Sequence, residues 1–490
     1  MIHASTLTAL PGCKRLGTAI ATSTLLLMAA CTAHAPLKAL PDKPADSLAF
    51  SRTVGSAAQG QWPEREWWNV YGDAQLGSLI KEGLAANPDM DAALARIQAA
   101  DARAAGTRAP LIPTIEANVG SQRTLFSENG FLPPPIGGST IWQNKASLDL
   151  RWEIDFWGKH KSALAGALRD TAAASIDKES AELALSTSIA RRYVEWQRIE
   201  EQLELGRALV KQRESLLGLT QKRVTAGLDS NVQLRAAEAA VPDTRADIAA
   251  LETQASIARI ELAALVGAGP DRGLDLTRPA LKVPAAAGSP TAIPADLLAR
   301  RPDVLARRLR AEAAASRADG AQADFYPNIN LAAAVGLDSK TFTDWVDMGS
   351  KFYNAGPALN LPLFGGGRRR ATLNLRTAEY DEAVAMYRQS LVGATRDVAT
   401  ALTDLRSVDT EQRDATAAVT AQTQSYDLAR RRYEGGLGTM TDVLVAEASL
   451  LNQRRRIADL NARRLDASVR LVAALGGGLP LQTSLTAVQP

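Results

Sequence analysis

Leu148-Asp149-Leu150-Arg151-Trp152-Glu153-Ile154-Asp155-Phe156 alternates apolar and charged residues without a break. A period of two puts Leu148, Leu150, Trp152, Ile154 and Phe156 on one face of a strand and four charges on the other. Two more runs read the same way: Ile329, Leu331, Ala333, Val335 and Leu337, then Leu359, Leu361 and Leu363. A run near 114–125 makes four strands of roughly 9–12 residues, the length a tilted membrane-spanning strand requires. Phe126, Phe131, Trp142, Phe342, Trp345, Phe352 and Tyr353 gather near the loop ends, where an interfacial girdle belongs. A half-buried soluble sheet alternates in the same way, so the strands alone leave both readings open. Four strands cannot close a membrane barrel, and hydrocarbon tolerates no open sheet edge. The membrane reading therefore requires several copies.

The chain is written twice. Asn87-Pro88-Asp89-Met90 returns as Arg301-Pro302-Asp303-Val304, and Ile112-Pro113-Thr114-Ile115 as Tyr326-Pro327-Asn328-Ile329, both 214 residues on. Lys222 to Leu228 matches Arg431 to Leu437, and Leu262 to Gly267 matches Leu471 to Gly476, both 209 residues on. Two halves that differ by a small loop deletion explain the constant offsets. Each half orders its elements alike: an opening helix broken at the proline, two strands, a very long helix, a glycine turn and a second helix.

The long helices carry a heptad. Ile189, Trp196, Leu203, Val210, Leu217 and Val224 stand seven apart, as do Val384, Leu391, Val398, Leu405, Gln412, Val419, Tyr426 and Tyr433. A strict seven implies supercoiling against a neighbouring helix, and some 65–70 helical residues extend roughly 100 Å. At the far ends, Gly227 and Gly436 sit where a left-handed helix stop is expected. Ser230 to Gln233 and Thr439 to Asp442 then have capping-box spacing. Both turns read as tight hairpin tips.

Composition narrows the function. The 490 residues hold 56 Lys+Arg against 53 Asp+Glu, 3 His and 2 Cys. Balanced charge gives no footprint for nucleic acid, and the His and Cys positions offer neither zinc spacing nor a disulfide framework. No stretch after Cys31 has the ~18 apolar residues of a spanning helix. Residues 1–30 read as an export signal, with Lys14 and Arg15 ahead of an uncharged run ending Leu27-Met28-Ala29-Ala30-Cys31. That ending looks like a lipobox, which would make Cys31 an acylated first residue; cleavage at Ala33-His34-Ala35 is the alternative. The reading divides the chain into a signal peptide (1–30), a lipid-anchored tether (31–66), a first repeat (67–267), a linker (268–294), a second repeat (295–476) and a tail (477–490).

Together these features resemble the outer membrane factor family of TolC-like exit ducts, most closely its NodT/OprM-like lipoprotein branch. The resemblance covers nearly the whole chain after the leader. Its most specific stretches are Trp152 to Lys159, Leu297 to Val304 and Pro362-Leu363-Phe364-Gly365-Gly366-Gly367. Leu305-Ala306-Arg307-Arg308 departs from the Ala-Glu pair usual after Val304. The resemblance implies an α+β membrane protein, a homotrimer in which each protomer gives four strands to a twelve-stranded outer-membrane β-barrel continued by a long periplasmic α-helical barrel. It implies a periplasmic adaptor at the tips (Gly227, Leu228, Asp229, Ser230, Gly436, Leu437, Gly438 and Thr439) and an inner-membrane transporter of the RND type. The only attached group it implies is lipid on Cys31. An acidic ring narrows the TolC-like entrance just past the second tip. Asp442 takes that position, with Gln233 as its repeat-mate, while Gly438 stands where TolC carries an entrance-locking arginine. Asp442 also reads simply as a helix cap.

Other classes fit less well. Glu153 and Asp155 could pass for a glycosidase pair, but a polar lumen accounts for them equally. His160, beside Lys159 and Lys161, reads as a solvated helix start. Gly365-Gly366-Gly367-Arg368 lacks phosphate-loop spacing. The remaining alternatives are a periplasmic coiled-coil adaptor or scaffold lipoprotein, and an exit duct for protein secretion.

Overall fold

The computed structural model describes residues 37, 40, 63–283 and 301–478. The expected signal peptide and the acylated Cys31 lie outside them, as do most of the tether, part of the linker and most of the tail. The described elements run α1 Ala74–Ala86, α2 Pro88–Arg108, β1 Thr114–Leu125, β2 Thr140–Ile154, α3 Lys159–Thr225, α4 Asn231–Leu265, α5 Pro302–Ala323, β3 Asn328–Ser339, β4 Lys351–Asn360, α6 Arg368–Glu434 and α7 Met440–Ala474. The duplication is visible in their lengths. Both α3 and α6 have 67 residues, and both α4 and α7 have 35. Two compact units result, one around the sheet (105–166 and 312–382) and one of helices.

The sheet unit is a single antiparallel sheet in the order β1-β2-β3-β4, with β1 and β4 as its edges. Register decides what each face carries. Leu148 lies opposite Ala117 and Val335, Leu150 opposite Ile115 and Ala333, and Ile154 opposite Ile329, which in turn faces Leu359. Directly opposed residues share a face, so the side that carries Leu148 to Ile154 is apolar on each strand paired there. The other side pairs Glu116 with Asp149, Asn118 with Ser147 and Lys145 with Asp338. Asn118 Nδ2 donates to Asp149 Oδ2 at 2.6 Å across that polar face. Among the described residues much of the apolar side is exposed: Val119 is 73% and Tyr353 85% exposed, while Leu150, Trp152 and Ile154 are half-buried. An apolar surface of this extent calls for a nonaqueous neighbour. Aromatic contacts bound it at both ends. Trp142, Phe342 and Trp345 pack edge to face near the loops, and Trp157 stacks on Tyr326 at 4.7 Å near the helices.

Two strand ends differ from the alternation pattern. Phe156 lies beyond β2 because Asp155 leaves the ladder to cap α3, accepting from the His160 and Lys161 amides at 3.0 and 2.7 Å. Leu361 and Leu363 lie beyond β4, which begins earlier, at Lys351. The ladder stops at Asn360 because its partner β3 begins at Asn328, directly opposite. His160 is not solvated: its side chain is 15% exposed and its Nε2 lies 3.2 Å from Glu153 Oε2.

The helical unit centres on Trp67, Trp68, Tyr71, Ile80, Tyr193, Trp196 and Leu262. Asp73 caps α1 by accepting from the Gln75 and Leu76 amides at 2.9 and 3.3 Å. Pro88 opens α2, where its missing N–H costs nothing. Of the first heptad, Ile189, Trp196 and Leu203 are buried, whereas Val210, Leu217 and Val224 toward the tip are half-buried. In the second, Val384, Leu391, Val398, Tyr426 and Tyr433 are buried.

Candidate functional site

The two hairpin tips are built alike. The Leu228 amide donates to the Arg223 carbonyl at 2.8 Å and Gly227 to Val224 at 3.0 Å. Leu437 donates to Arg432 at 2.7 Å and Gly436 to Tyr433 at 3.0 Å. These are the paired bonds of a left-handed helix stop, and Gly227 and Gly436 both take φ +73°. The next helix is then capped. The Ser230 amide donates to Gln233 Oε1 at 2.7 Å, and the Ser230 hydroxyl donates to the same oxygen. The Thr439 amide donates to Asp442 Oδ2 at 2.9 Å, and the Asp442 amide returns a bond to Thr439 Oγ1 at 3.2 Å. Those bonds from Thr439, with Arg432 nearby, hold the exposed Asp442 carboxyl below its ordinary value. Leu228, Val232 and Leu437 stand 65%, 77% and 75% exposed at the tips, an apolar surface beside polar caps. A Cβ at Gly438 would sit 3.2 Å from the Arg432 Cβ, a tight contact that a shift of a few tenths of an ångström would relieve.

One expected tip residue has a different role. The Asp229 carboxylate is turned inward, with its side chain only 7% exposed. It accepts from Arg223 Nε at 2.9 Å and from the Tyr433 hydroxyl at 2.5 Å. Arg223 also donates to the Tyr433 carbonyl at 2.9 Å, and its guanidinium lies 4.6 Å over the Tyr433 ring. Thr220 Oγ1 stands 3.0 Å from the Tyr433 hydroxyl. Asp229 and Arg223 belong to the first hairpin and Tyr433 to the second, so this cluster ties the two together. Burial pushes the Asp229 carboxyl up, but the bonds from Arg223 and Tyr433 outweigh it, and the net value is lowered. Burial, reinforced by the bond to Asp229, raises the Tyr433 phenol.

Arg223 is thus the arginine that bridges the two hairpins at this end, bonded to Asp229 of its own hairpin and to Tyr433 of the other. Neither Arg223 nor Tyr433 stood out as a site residue in the sequence. The available signal was the repeat itself: Tyr433 occupies the place of Val224, so a heptad position apolar in one half carries a hydroxyl in the other. Asp442 and Gln233 are both engaged in capping, and Asp442 keeps its charge at the surface. The acid pair considered for catalysis is engaged elsewhere, with Glu153 beside Lys159 and His160 and Asp155 capping α3. Among the described residues no group of His, Cys, Asp and Glu could hold a metal, and no helix is long and apolar enough to cross a membrane.

Comparison with known proteins points one way. A family model described as outer membrane efflux protein matches residues 79–268 and 293–477. The chain is similar to the fusaric acid resistance protein FusA of Burkholderia cepacia, 38% identical over 320 residues, which span 65% of this chain and 60% of that protein. It is similar to the pyoverdine export outer membrane protein OpmQ of Pseudomonas putida, 32% identical over 422 residues, 85% of this chain and 88% of that one. Among solved structures it resembles the outer membrane protein VceC of Vibrio cholerae, with 34% identity and a TM-score of 0.79 over 85% of this chain and 100% of that one.

Proposed function

The chain belongs to the outer membrane efflux protein family, and from that premise we propose that three copies form the passive exit duct of a tripartite efflux system. It is an outer-membrane channel that extends into the periplasm. The observation that carries the trimeric reading is the sheet: four strands, two unpaired edges, one apolar face and one charged face. Edges must pair in hydrocarbon. Two copies would give eight strands, a barrel just wide enough for its own side chains, whereas three give twelve strands and leave an aqueous bore. The charged face lines that bore and the apolar face meets lipid. A free-standing periplasmic scaffold would leave the apolar face in water, which disfavours that alternative.

The duct performs no chemistry of its own. An inner-membrane transporter of the RND type supplies the energy, and a periplasmic adaptor packs its helical hairpins on the exposed Leu228, Val232 and Leu437. The cluster of Arg223, Asp229 and Tyr433 holds the entrance shut at rest, and Asp442, still charged, narrows it. Cys31 carries the lipid that tethers the chain. The relatives named for fusaric acid resistance and pyoverdine export support small organic molecules as the cargo class.

Reconstitution of the purified protein tests the reading. Heat-resistant trimers with single-channel conductance are expected, with fatty acyl mass on the N-terminal cysteine that is lost in C31A. A monomer that stays soluble without lipid and conducts nothing would refute it. Exchange of residues 227–233 and 436–442 with those of a paralogue should move adaptor preference, and unchanged pairing would remove the tips from the adaptor interface.

A further inference from the structure

We propose that the buried Arg213–Glu447 pair is the fulcrum of the entrance, a positioning contact that stays made while the tips part and so limits how wide the gate opens. The inference rests on the gate reading above. Glu447 lies on α7 with its side chain only 2% exposed. Both of its oxygens are engaged by α3: Arg213 Nε donates to Oε2 at 2.9 Å, and Gln212 Nε2 donates to Oε1 at 2.8 Å. Arg213 Nη1 also donates to the Ala240 carbonyl at 2.9 Å and to Thr244 Oγ1 at 2.7 Å, both on α4. Asp243 stands at 3.9 Å on the surface side. One guanidinium therefore clasps both helices of the first hairpin and, through Glu447, the second.

Position separates this clasp from the tip cluster. Arg213 is ten residues from Arg223 along α3, about 15 Å at the helical rise. Leu216, Tyr426, Met440 and Val443 belong to the apolar cluster at this end of the hairpins, together with Tyr433 of the tip. Groups released at the tip can be hydrated as the tips separate. Parting Arg213 from Glu447 would instead leave a carboxylate stranded among apolar side chains, the costliest way to lose an ion pair. Opening by the easier route bends the hairpins beyond the clasp and leaves it intact.

Single-channel recording of trimers in planar bilayers separates the two contacts. Y433F cuts the tip cluster, and its time in a raised conductance level should increase about tenfold, the size expected for one charge-assisted hydrogen bond. E447Q alone should leave the resting channel closed, because the tip still holds. The double variant should reach a higher level that neither single variant shows. R213K keeps the charge but cannot serve α4 and α7 at once, so combined with Y433F it should add the same level. It stands in if E447Q does not assemble. A Y433F channel that conducts no more than the parent would overturn the gate reading itself. A Y433F channel that opens, but gains no further level from either clasp variant while the trimers merely melt lower, would make the pair structural and overturn the fulcrum alone.

Discussion

The Tyr433 hydroxyl donates to Asp229 at 2.5 Å and fastens the end of α6 to the turn between α3 and α4. The two residues lie 204 positions apart. Arg223 completes the contact from both sides, bonding the Asp229 carboxylate and the Tyr433 carbonyl.

R223M removes both of these bonds and the cation over the Tyr433 ring. Each hydrogen bond to a charged group contributes about 1.5–3 kcal/mol, so resting conductance should rise at least as much as in Y433F. Bilayer recording compares the two, and sensitivity to bulky antibiotics in cells that depend on this duct should follow the same order.

The tip cluster should resist mild acid. The Asp229 carboxyl titrates below its ordinary 3.8. A lowered folded-state value contributes stability that is fully present above the unfolded value and is lost as pH falls through the folded one. Resting conductance should therefore be flat from neutral pH down to about 5 and rise only below about pH 4. An increase near pH 6 would point to a different group.

Asp442 both caps a helix and presents a charge, and D442N separates these roles. The amide can still accept from Thr439, whereas the proposed block by trivalent cations requires the carboxylate. Block should weaken with little change in trimer melting. D442A should weaken block and also cost about 1 kcal/mol of cap.

Gly227 and Gly436 hold a left-handed conformation with open space where a Cβ would go. Alanine there is penalised by backbone strain alone, about 1–2 kcal/mol at each tip. Thermal denaturation of G227A and G436A should show similar losses, matching the equal geometry of the tips.

Gly336 on β3 is constrained by contact. A Cβ would overlap the Ala146 carbonyl oxygen and lie 2.8 Å from Ser147 Cα and 3.0 Å from Phe352. G336V should prevent the sheet from forming, leaving no heat-resistant trimers on gels of outer-membrane fractions, while G356V, with open space, should assemble.

Much of this architecture was legible because it is periodic. Alternation along Leu148–Ile154, sevens from Ile189 and from Val384, and the tip glycines are set by neighbours a few residues away, and α3, α6 and β3 lie close to where those periods place them. Strand ends were less legible, because capping by Asp155 and the start of β3 at Asn328, opposite Asn360, override alternation. The role of Asp229 was hidden for another reason. A carboxylate in a turn looks the same whether it faces water or an arginine. Its partner Tyr433 comes from the other repeat, and only the packing of one hairpin on the other brings them within bonding distance. Residue order along one chain could thus declare strands, helices and turns, since each depends on short-range geometry. Which side chains tie one hairpin to the other depends on contacts across more than 200 residues, and those exist only once the helices are packed.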